Sequence, residues 1–376
     1  MENTSLSPDT YETSRQRFRQ SPDNVAQHWH HTRLEHYTLK SDEDLTIDWI
    51  GCEAQSQKKN IVIFTTGEHG IEGYIGAALL FTFIDEFLPR LNSADTGLLL
   101  VHSINPWGMK HYRRVNANNV DLNRNFMTDN HFPAEVNLEY TRIHSFLNPN
   151  QLQRSITASN LAFSSGLAMA LLKLGSAGLH RTTLLGQYRF PQGVYYGGEA
   201  YQEETSVMIE LYQQALQSYE QVILFDMHTG YGPRYQMSMV NSQFEPDSSS
   251  QFAQKFGYPL VVKSNPSEFY SIQGDMIDYL YKLQRDKFPA TRLFATTFEF
   301  GTFGDSLLAV LRSLRATILE NQFYWYGAKN ERLKKYIHDE YRELFFPSEN
   351  RWRAKALRDA RQAFEGVLRA YQVISK

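Results

Sequence analysis

The stretch that decides the fold runs from Ile61 to Gly73 and reads IVIFTTGEHGIEG. Its first six residues are apolar or β-branched and do not alternate with polar residues, which is typical of a strand buried on both faces. The polar turn that follows ends the strand, and the apolar residues after it predict a helix over 75–88. A buried strand, a short loop and a helix form the unit from which parallel sheets are built.

The same alternation continues along the chain and predicts an α/β fold with a mixed, mostly parallel sheet covered by helices on both faces. Two alternating segments at 34–40 and 45–50, joined by polar residues, predict an antiparallel hairpin at the start of that sheet. Further strands are predicted at 98–102, 222–226, 260–262 and 293–298, and further helices at 135–146, 203–219, 274–285 and 306–321.

The chain has no Pro/Gly/Ser-rich linker, so we expect one domain over residues 1–326. From 327 to 376 the sequence is rich in Lys, Arg and Glu, with apolar residues at helical spacing. This pattern predicts a C-terminal helical extension.

Composition narrows the functional classes. The chain has 376 residues, 42% of them hydrophobic, and 38 basic against 41 acidic side chains give a net charge of −3, so no global field favours nucleic acid or an anionic membrane. Cys52 is the only cysteine, which excludes an intrachain disulfide or a cysteine metal cluster and favours a cytoplasmic location. The N-terminus is polar, and the longest apolar stretch, Ile75–Ile84, is about half of the ~18 residues that a membrane span needs. We expect neither a secretory signal nor a membrane partner.

Polar residues gather where the predicted strands end, which is where open α/β sheets bind ligands. His69 and Glu72 follow the first buried strand at a spacing that lets both side chains reach one metal ion. His228 follows the strand at 222–226 and completes the two-His, one-carboxylate set of hydrolytic zinc sites. Glu299 ends the strand at 293–298, where a carboxylate can deprotonate the attacking water.

Each of these residues also has an ordinary structural explanation. His69 and Glu72 could mark a helix start, His228 could be a satisfied core histidine, and Glu299 could pair with a nearby arginine. The functional interpretation is stronger for the set than for any member, because one crevice at the strand ends can collect all four.

The order of these motifs resembles the zinc carboxypeptidase family, which includes carboxypeptidase A, and an uncharacterised bacterial branch of it. The resemblance covers roughly residues 45–304 and implies a carboxypeptidase-like fold with a catalytic domain over 1–326. The motifs that carry it are His69–Glu72, Asn105-Pro106, Arg114, Asp121-Leu122-Asn123-Arg124, His228, Tyr270 and Phe298-Glu299.

The resemblance also implies roles for single residues. His69, Glu72 and His228 would hold one zinc ion, Glu299 would act as general base, and Arg114 would donate to the oxyanion. For the substrate, Asn123 and Arg124 would bind a terminal carboxylate and Tyr270 would cover the site. In the same register Ile277 would line the side-chain pocket, which implies an apolar or aromatic preference.

Two departures from the family pattern stand out. An insertion at about residues 130–200, with an Ala/Leu-rich segment at 161–174, could cap the cleft. Arg113 precedes Arg114, so the sequence leaves open which arginine reaches the oxyanion.

The function that the resemblance implies is a zinc metallocarboxypeptidase acting on short peptides, with no assignment of oligomeric state. One alternative is an N-acyl amino acid amidohydrolase of the aspartoacylase and succinylglutamate desuccinylase type, which Asp121–Arg124 suits. Its substrate, like the peptide, would carry a free carboxylate. The other alternative is a catalytically silent peptide-binding module, which the retention of all three metal ligands and Glu299 disfavours.

Overall fold

The computed structural model describes residues 9–265 and 272–374, so Tyr270 lies outside the described residues. Within them, the strands are β1 (Thr32–Thr38), β2 (Thr46–Cys52), β3 (Asn60–Thr66), β4 (Thr96–His102), β5 (Gln221–Gly230), β6 (Met237–Asn241), β7 (Val261–Lys263) and β8 (Arg292–Gly301). The helices are α1 (Tyr11–Gln20), α2 (Pro22–Val25), α3 (Gly73–Glu86), α4 (Pro106–Lys110), α5 (Leu138–Leu147), α6 (Ile156–Leu185), α7 (Glu203–Ser218), α8 (Ser249–Phe256), α9 (Met276–Lys287), α10 (Leu307–Tyr326), α11 (Glu331–Phe345) and α12 (Asn350–Ala370).

The strands of the described chain form one sheet in the order β1-β2-β4-β3-β5-β8-β6-β7. Its centre is parallel, because β3 pairs in parallel with β4 and β5, and β5 with β8. The predicted N-terminal hairpin is present as β1 and β2, which pair antiparallel. The structure therefore confirms the mixed, mostly parallel sheet.

One strand, β6, was not predicted. Met237–Asn241 pairs antiparallel with β8 and parallel with β7. Its sequence, MSMVN, contains a single β-branched residue, so its propensity for a strand is weak. Tertiary packing decides the outcome, since all five residues are buried.

Helices cover both faces of the sheet. On β5 the Phe225 ring lies 5.2 Å from the Phe364 ring of α12, whereas the charge of the next residue, Asp226, acts on Tyr212 of α7. Successive side chains of a strand point to opposite faces. It follows that α12 and α7 pack on opposite sides of the sheet, as predicted.

The C-terminal extension is part of the main core. Phe364 of α12 is fully buried, and its ring contacts those of Phe64 and Phe298 on the central strands. The indole Nε1 of Trp352 donates to the Gly301 carbonyl at 2.7 Å. The division into 1–326 and 327–376 stays a prediction about domains, but α12 and the sheet share one core.

The insertion at about 130–200 contains α5 and the long α6. Together with α10 they enclose a small separate core that includes Tyr140, Leu179 and Leu314. Helix α6 is interrupted at Gly175, whose φ of 68° is a left-handed conformation that favours glycine.

The outer surface of α6 is apolar and exposed. Leu161 is 71% and Leu172 is 82% exposed, and only 11% of the most apolar 18-residue window of the helix is buried. By length and composition alone this helix could cross a membrane. The expectation that no segment reaches that length was wrong, because it counted only uninterrupted apolar residues and α6 intersperses them with Ala, Ser and Gly.

The N-terminal helix α1 is fastened to β4 through a buried histidine. Ser14 Oγ lies 2.7 Å from His102 Nε2, and the Phe18 ring stacks on the His102 ring at 5.2 Å. Burial lowers the pKa of His102 from 6.5 to about 4. The folded protein therefore keeps this ring neutral at a pH where the unfolded chain would protonate it.

We predict that His102 makes the fold sensitive to acid. Because its pKa is lower in the folded state, its contribution is complete above pH 6.5 and is lost as the pH falls towards 4, by up to about 3 kcal/mol. Urea unfolding at pH 7 and pH 5 should show a smaller loss for His102→Gln, which cannot titrate, than for the wild-type chain. Equal losses in the two proteins would contradict the assignment.

Candidate active site

The predicted site residues meet at the carboxyl ends of the central parallel strands. His69 follows β3, His228 lies on β5, and Glu299 on β8 is the register partner of His228. Arg114 and Asp121 reach the same place from the loop after α4. Parallel strands end at one edge of the sheet, so residues far apart in sequence become neighbours.

Three potential metal ligands converge. His69 Nδ1 lies 2.9 Å from Glu72 Oε1 and 3.1 Å from His228 Nδ1, and His228 Nδ1 lies 3.3 Å from Glu72 Oε2. A tetrahedral ion with bonds of about 2.0–2.1 Å separates its ligand atoms by roughly 3.3 Å. The spacing of the three side chains therefore fits one such ion.

A second carboxylate, Glu68, also adjoins the histidines. Ligand atoms of Glu68, His69 and His228 lie within 4.8 Å of one another. Glu68 Oε2, however, is 3.3 Å from His228 Nε2, whereas Glu72 contacts Nδ1 of both rings. Because a ligand set must converge on one point, we favour Glu72 as the ligand and place Glu68 behind His228.

Buried carboxylates orient both imidazole rings from behind. His69 Nε2 lies 3.1 Å from Asp121 Oδ1, and His228 Nε2 lies 2.5 Å from Asp226 Oδ2. A carboxylate on the far nitrogen fixes the tautomer that leaves Nδ1 to face a metal. These two contacts were not predicted, although Asp226 and His228 stand two residues apart on a strand and therefore share a face.

The site holds more buried negative than positive charge. Among the described residues neither buried oxygen of Glu68 makes a well-directed hydrogen bond. Burial lowers the pKa of His69, but the charges of Glu72 and Asp121 raise it by more. Burial likewise lowers the pKa of His228, but the charge of Asp226 and hydrogen bonds to Asp226, Glu68 and Glu72 together raise it well above its usual value. Both shifts mean that the site favours a positive charge between the rings, which suits a cation.

The structure distinguishes the two adjacent arginines. Arg114 Nη1 lies 3.3 Å from Glu72 Oε1, and its Nε donates to Asp121 at 3.0 Å. Arg113 points away and forms a buried ion pair with Glu320 of α10 at 2.6 Å. Arg114 is thus the arginine beside the candidate metal ligands.

Glu299 has the environment of a proton acceptor that works near neutral pH. Its Oε1 accepts a hydrogen bond from the Tyr231 backbone N–H at 3.0 Å. Burial, assisted by the nearby charge of Glu72, raises the pKa of Glu299 to about 7. A general base is most effective when its pKa lies near the working pH.

The predicted carboxylate-binding pair is divided between two cavities. Arg124 lines the main cavity, which has a volume of about 380 Å³. Its Nη1 donates to the Asn123 carbonyl and its Nη2 to the Leu184 carbonyl, both at 2.8 Å. Its Nε is buried without a partner among the described residues. Asn123 lines a small cavity of about 30 Å³ beside Asp275, and its Oδ1 accepts from the Met276 N–H.

Ile277 lies in the hydrophobic core, 4% exposed, and lines neither of these cavities. The small cavity beside Asn123 is instead lined by Asp275 and Asp278. The suggested role of Ile277 in an apolar pocket therefore has no support from the described contacts.

The main cavity has a volume of about 380 Å³ and joins the site to the insertion. Polar residues of the site and apolar residues of α6 and α10 line it together. They include His69, Arg114, Arg124, Tyr195, Tyr231 and Glu299, together with Leu167, Leu171, Leu179, Leu184, Leu307, Val310, Leu311, Leu314, Leu344 and Phe345. A larger cavity of about 500 Å³ between α5, α6 and α10 contains none of the predicted site residues.

Tyr195 is a site residue that the sequence did not reveal. It belongs to the insertion, lines the main cavity with Arg114 and Arg124, and has a φ of 60°, which is unusual for a residue other than glycine. Only the Gly197-Gly198 pair nearby hinted at an irregular turn here.

Several solved structures are similar to this chain. Bovine thrombin-activatable fibrinolysis inhibitor, in complex with tick carboxypeptidase inhibitor, has 12% identity and a TM-score of 0.47, covering 86% of this chain and 97% of that chain. Carboxypeptidase A from Helicoverpa armigera has 13% identity and a TM-score of 0.45, covering 90% and 74%. A succinylglutamate desuccinylase from Silicibacter has 13% identity and a TM-score of 0.37, covering 78% and 65%.

A search of the curated proteins gives no match. Because the sequence identities to these solved structures are only 12–13%, the roles of single residues are argued from the geometry of this chain. A family described as "Protein of unknown function (DUF2817)" matches residues 8–359, which is nearly the whole chain. The chain belongs to the DUF2817 family.

Proposed function

We propose that the chain is a zinc-dependent amide hydrolase of the carboxypeptidase type, which removes a C-terminal residue that carries a free carboxylate. The observation that supports this most directly is the convergence of His69, Glu72 and His228, with His69 and Glu299 lining the main cavity. A set of two histidines and one carboxylate suits zinc and leaves a coordination position open.

The ion would supply Lewis acidity to the carbonyl and to the water. Glu299 would take the proton from the attacking water and later give it to the leaving amine, a use for which its raised pKa is suited. Arg114 would donate to the oxyanion that forms as the carbonyl is attacked. Asp121 and Asp226 would hold the histidine rings in place.

Arg124 would bind the carboxylate of the leaving residue. Two of its five N–H groups donate to backbone carbonyls, and the buried Nε has no partner among the described residues. A guanidinium with donors to spare can make charge-assisted bonds to a carboxylate.

A second candidate is the hydrolysis of N-acyl amino acids, which differs only in what lies on the acyl side of the amide. The observation that favours it is the cavity wall, because α6 and α10 form a roof beside the site and line a cavity of about 380 Å³. A folded protein tail could not pass beneath this roof, whereas a short peptide or an acylated amino acid could enter.

We predict that His228→Ala abolishes stoichiometric zinc binding, because it removes one of three ligands and the imidazole partner of Asp226. Zinc content of the purified protein measures this directly. His180→Ala is a matched control, since this exposed histidine lines the main cavity and is not one of the three converging ligands. Full occupancy in His228→Ala would overturn the ligand assignment.

We predict that Glu299→Gln lowers kcat by about 10²–10⁴-fold while zinc content stays unchanged, because the amide cannot accept the proton of the attacking water. Steady-state kinetics on an acylated amino acid, with metal analysis of the same sample, checks both halves. Turnover at the wild-type rate would make Glu299 a structural residue.

We predict that replacing the free carboxylate of the substrate by a carboxamide lowers kcat/KM about 10- to 100-fold in the wild-type enzyme, since charged hydrogen bonds contribute roughly 1.5–3 kcal/mol. In Arg124→Met the ratio of the two kcat/KM values should fall towards one. The ratio is informative even if the variant is less stable, because both substrates meet the same protein. An unchanged ratio would remove Arg124 from the carboxylate site.

A further inference from the structure

The main cavity has a polar end and an apolar wall. His69, Arg114 and Glu299 form the polar end, and nearly half of the remaining lining residues are Leu, Val and Phe of α6, α10 and the end of α11. The polar end is explained by the chemistry proposed above. The apolar wall is not needed for that chemistry, and its composition specifies what else the substrate carries.

Polar side chains in the wall are already occupied. Thr183 Oγ1 donates to the His180 carbonyl, Ser313 Oγ to the Ala309 carbonyl, and Thr317 Oγ1 to the Ser313 carbonyl, all at 2.9–3.0 Å within their own helices. Ser176 and His180, the other polar residues that α6 contributes, are exposed. The interior of the wall therefore offers few donors to a ligand.

The backbone of the wall is equally unavailable. Apart from their ends and the interruption of α6 at Gly175, helices α6 and α10 satisfy their N–H and C=O groups internally, so they present no open edge with which an extended peptide could pair. A peptide backbone buried here would lose its bonds to water without replacing them, which is costly. An aliphatic chain loses nothing of this kind and gains from the transfer.

The main cavity and the small cavity beside Asn123 differ more than tenfold in volume, which limits where a large part of the substrate can lie. The cavity beside Asn123 has about 30 Å³, the volume of roughly one water molecule. The main cavity, at about 380 Å³, accommodates roughly a dozen groups of that size. The main cavity thus has room for an acyl half much larger than the leaving residue, whose carboxylate Arg124 would bind in that same cavity.

The mouth of the main cavity is apolar as well. Leu171 and Leu307 line the cavity and are 40% and 74% exposed. Leu172 and Leu308, next to them in sequence, are 82% and 80% exposed. A chain longer than the cavity would emerge between apolar side chains.

We infer that the acyl half of the substrate is a long unbranched aliphatic chain held between α6 and α10, so that the substrate is a small amino acid with a fatty acyl group on its nitrogen. This inference rests on the proposed amide hydrolysis and specifies its substrate class. Arg124 takes the carboxylate, the candidate metal site takes the amide, and the insertion contributes the wall that receives the chain.

The test compares N-acetyl-, N-hexanoyl- and N-decanoylglycine with the peptide Ala-Ala-Gly, each below its micelle concentration, on the zinc-loaded enzyme. Because each methylene moved into an apolar site contributes up to about fourfold, kcat/KM should rise at least about a hundredfold from acetyl to decanoyl. Decanoylglycine should also exceed the peptide. Equal rates for the three acyl lengths, or a preference for the peptide, would overturn the inference and leave the proposed function intact.

Variants of the cavity lining test where the acyl chain of the substrate lies. Leu311→Trp fills the cavity and should abolish the preference for decanoyl over acetyl while acetylglycine is still cleaved. Leu308→Trp, on the same helix but outside the cavity lining, is the matched control and should keep it. Should Leu311→Trp fail to fold, Leu171→Gln at the mouth should reduce the preference, with Leu172→Gln as its control. A preference retained in both Leu311→Trp and Leu171→Gln would overturn the assignment.

Binding of decanoate separates the two proposals. Calorimetry of wild-type protein with decanoate, with and without zinc, should show binding with a negative heat-capacity change, as expected for buried apolar surface, and Leu311→Trp should lose it. If no amide is hydrolysed but decanoate binds in this way, the proposed function fails and the inferred binding site for an aliphatic chain between α6 and α10 is retained. If decanoate does not bind, the inference is wrong regardless of activity.

Discussion

The burial of several carboxylates around two imidazole rings is the constraint on which the rest of the structure depends. Glu68, Glu72, Asp121, Asp226 and Glu299 are each at most 5% exposed, and among the described residues the charges that oppose them come from arginines and histidines. Such a cluster persists only when charges and hydrogen bonds offset the loss of water. The parallel centre of the sheet meets this demand, because it ends β3, β5 and β8 together and delivers partners that lie far apart in the sequence.

Much of this arrangement could be predicted from the sequence, because it follows from strand ends. His69, His228 and Glu299 each stand at or just after an unalternating apolar run, and such runs in an α/β sheet finish at one edge. Other features depend on packing that no local pattern records. Arg113 and Arg114 are adjacent, and only the position of Glu320 on α10 shows which of them turns away. Strand β6 has weak propensity and forms because β7 and β8 pair with it.

The insertion both packs into a small core and lines the cavity beside the candidate active site. Its small core, shared with α10, stabilises α6 over the strand ends. That same placement forms one wall of the cavity, which Tyr195 lines together with Arg114 and Arg124. The sequence indicated a cap here, but the apolar character of its inner surface emerges only when α6 and α10 are seen to face one another.

The hydrogen bond from Arg124 Nη2 to the Leu184 carbonyl has one more consequence. The guanidinium proposed to receive the substrate carboxylate also holds the last turn of α6, so the anion site and the roof share one side chain. If a bound anion shifts the guanidinium, the hydrogen bond to Leu184 transmits that shift to the end of α6. A shift of α6 is transmitted to the anion site through the same hydrogen bond. By thermodynamic reciprocity, the factor by which a bound acyl chain changes the affinity for the carboxylate equals the factor by which the bound carboxylate changes the affinity for the acyl chain.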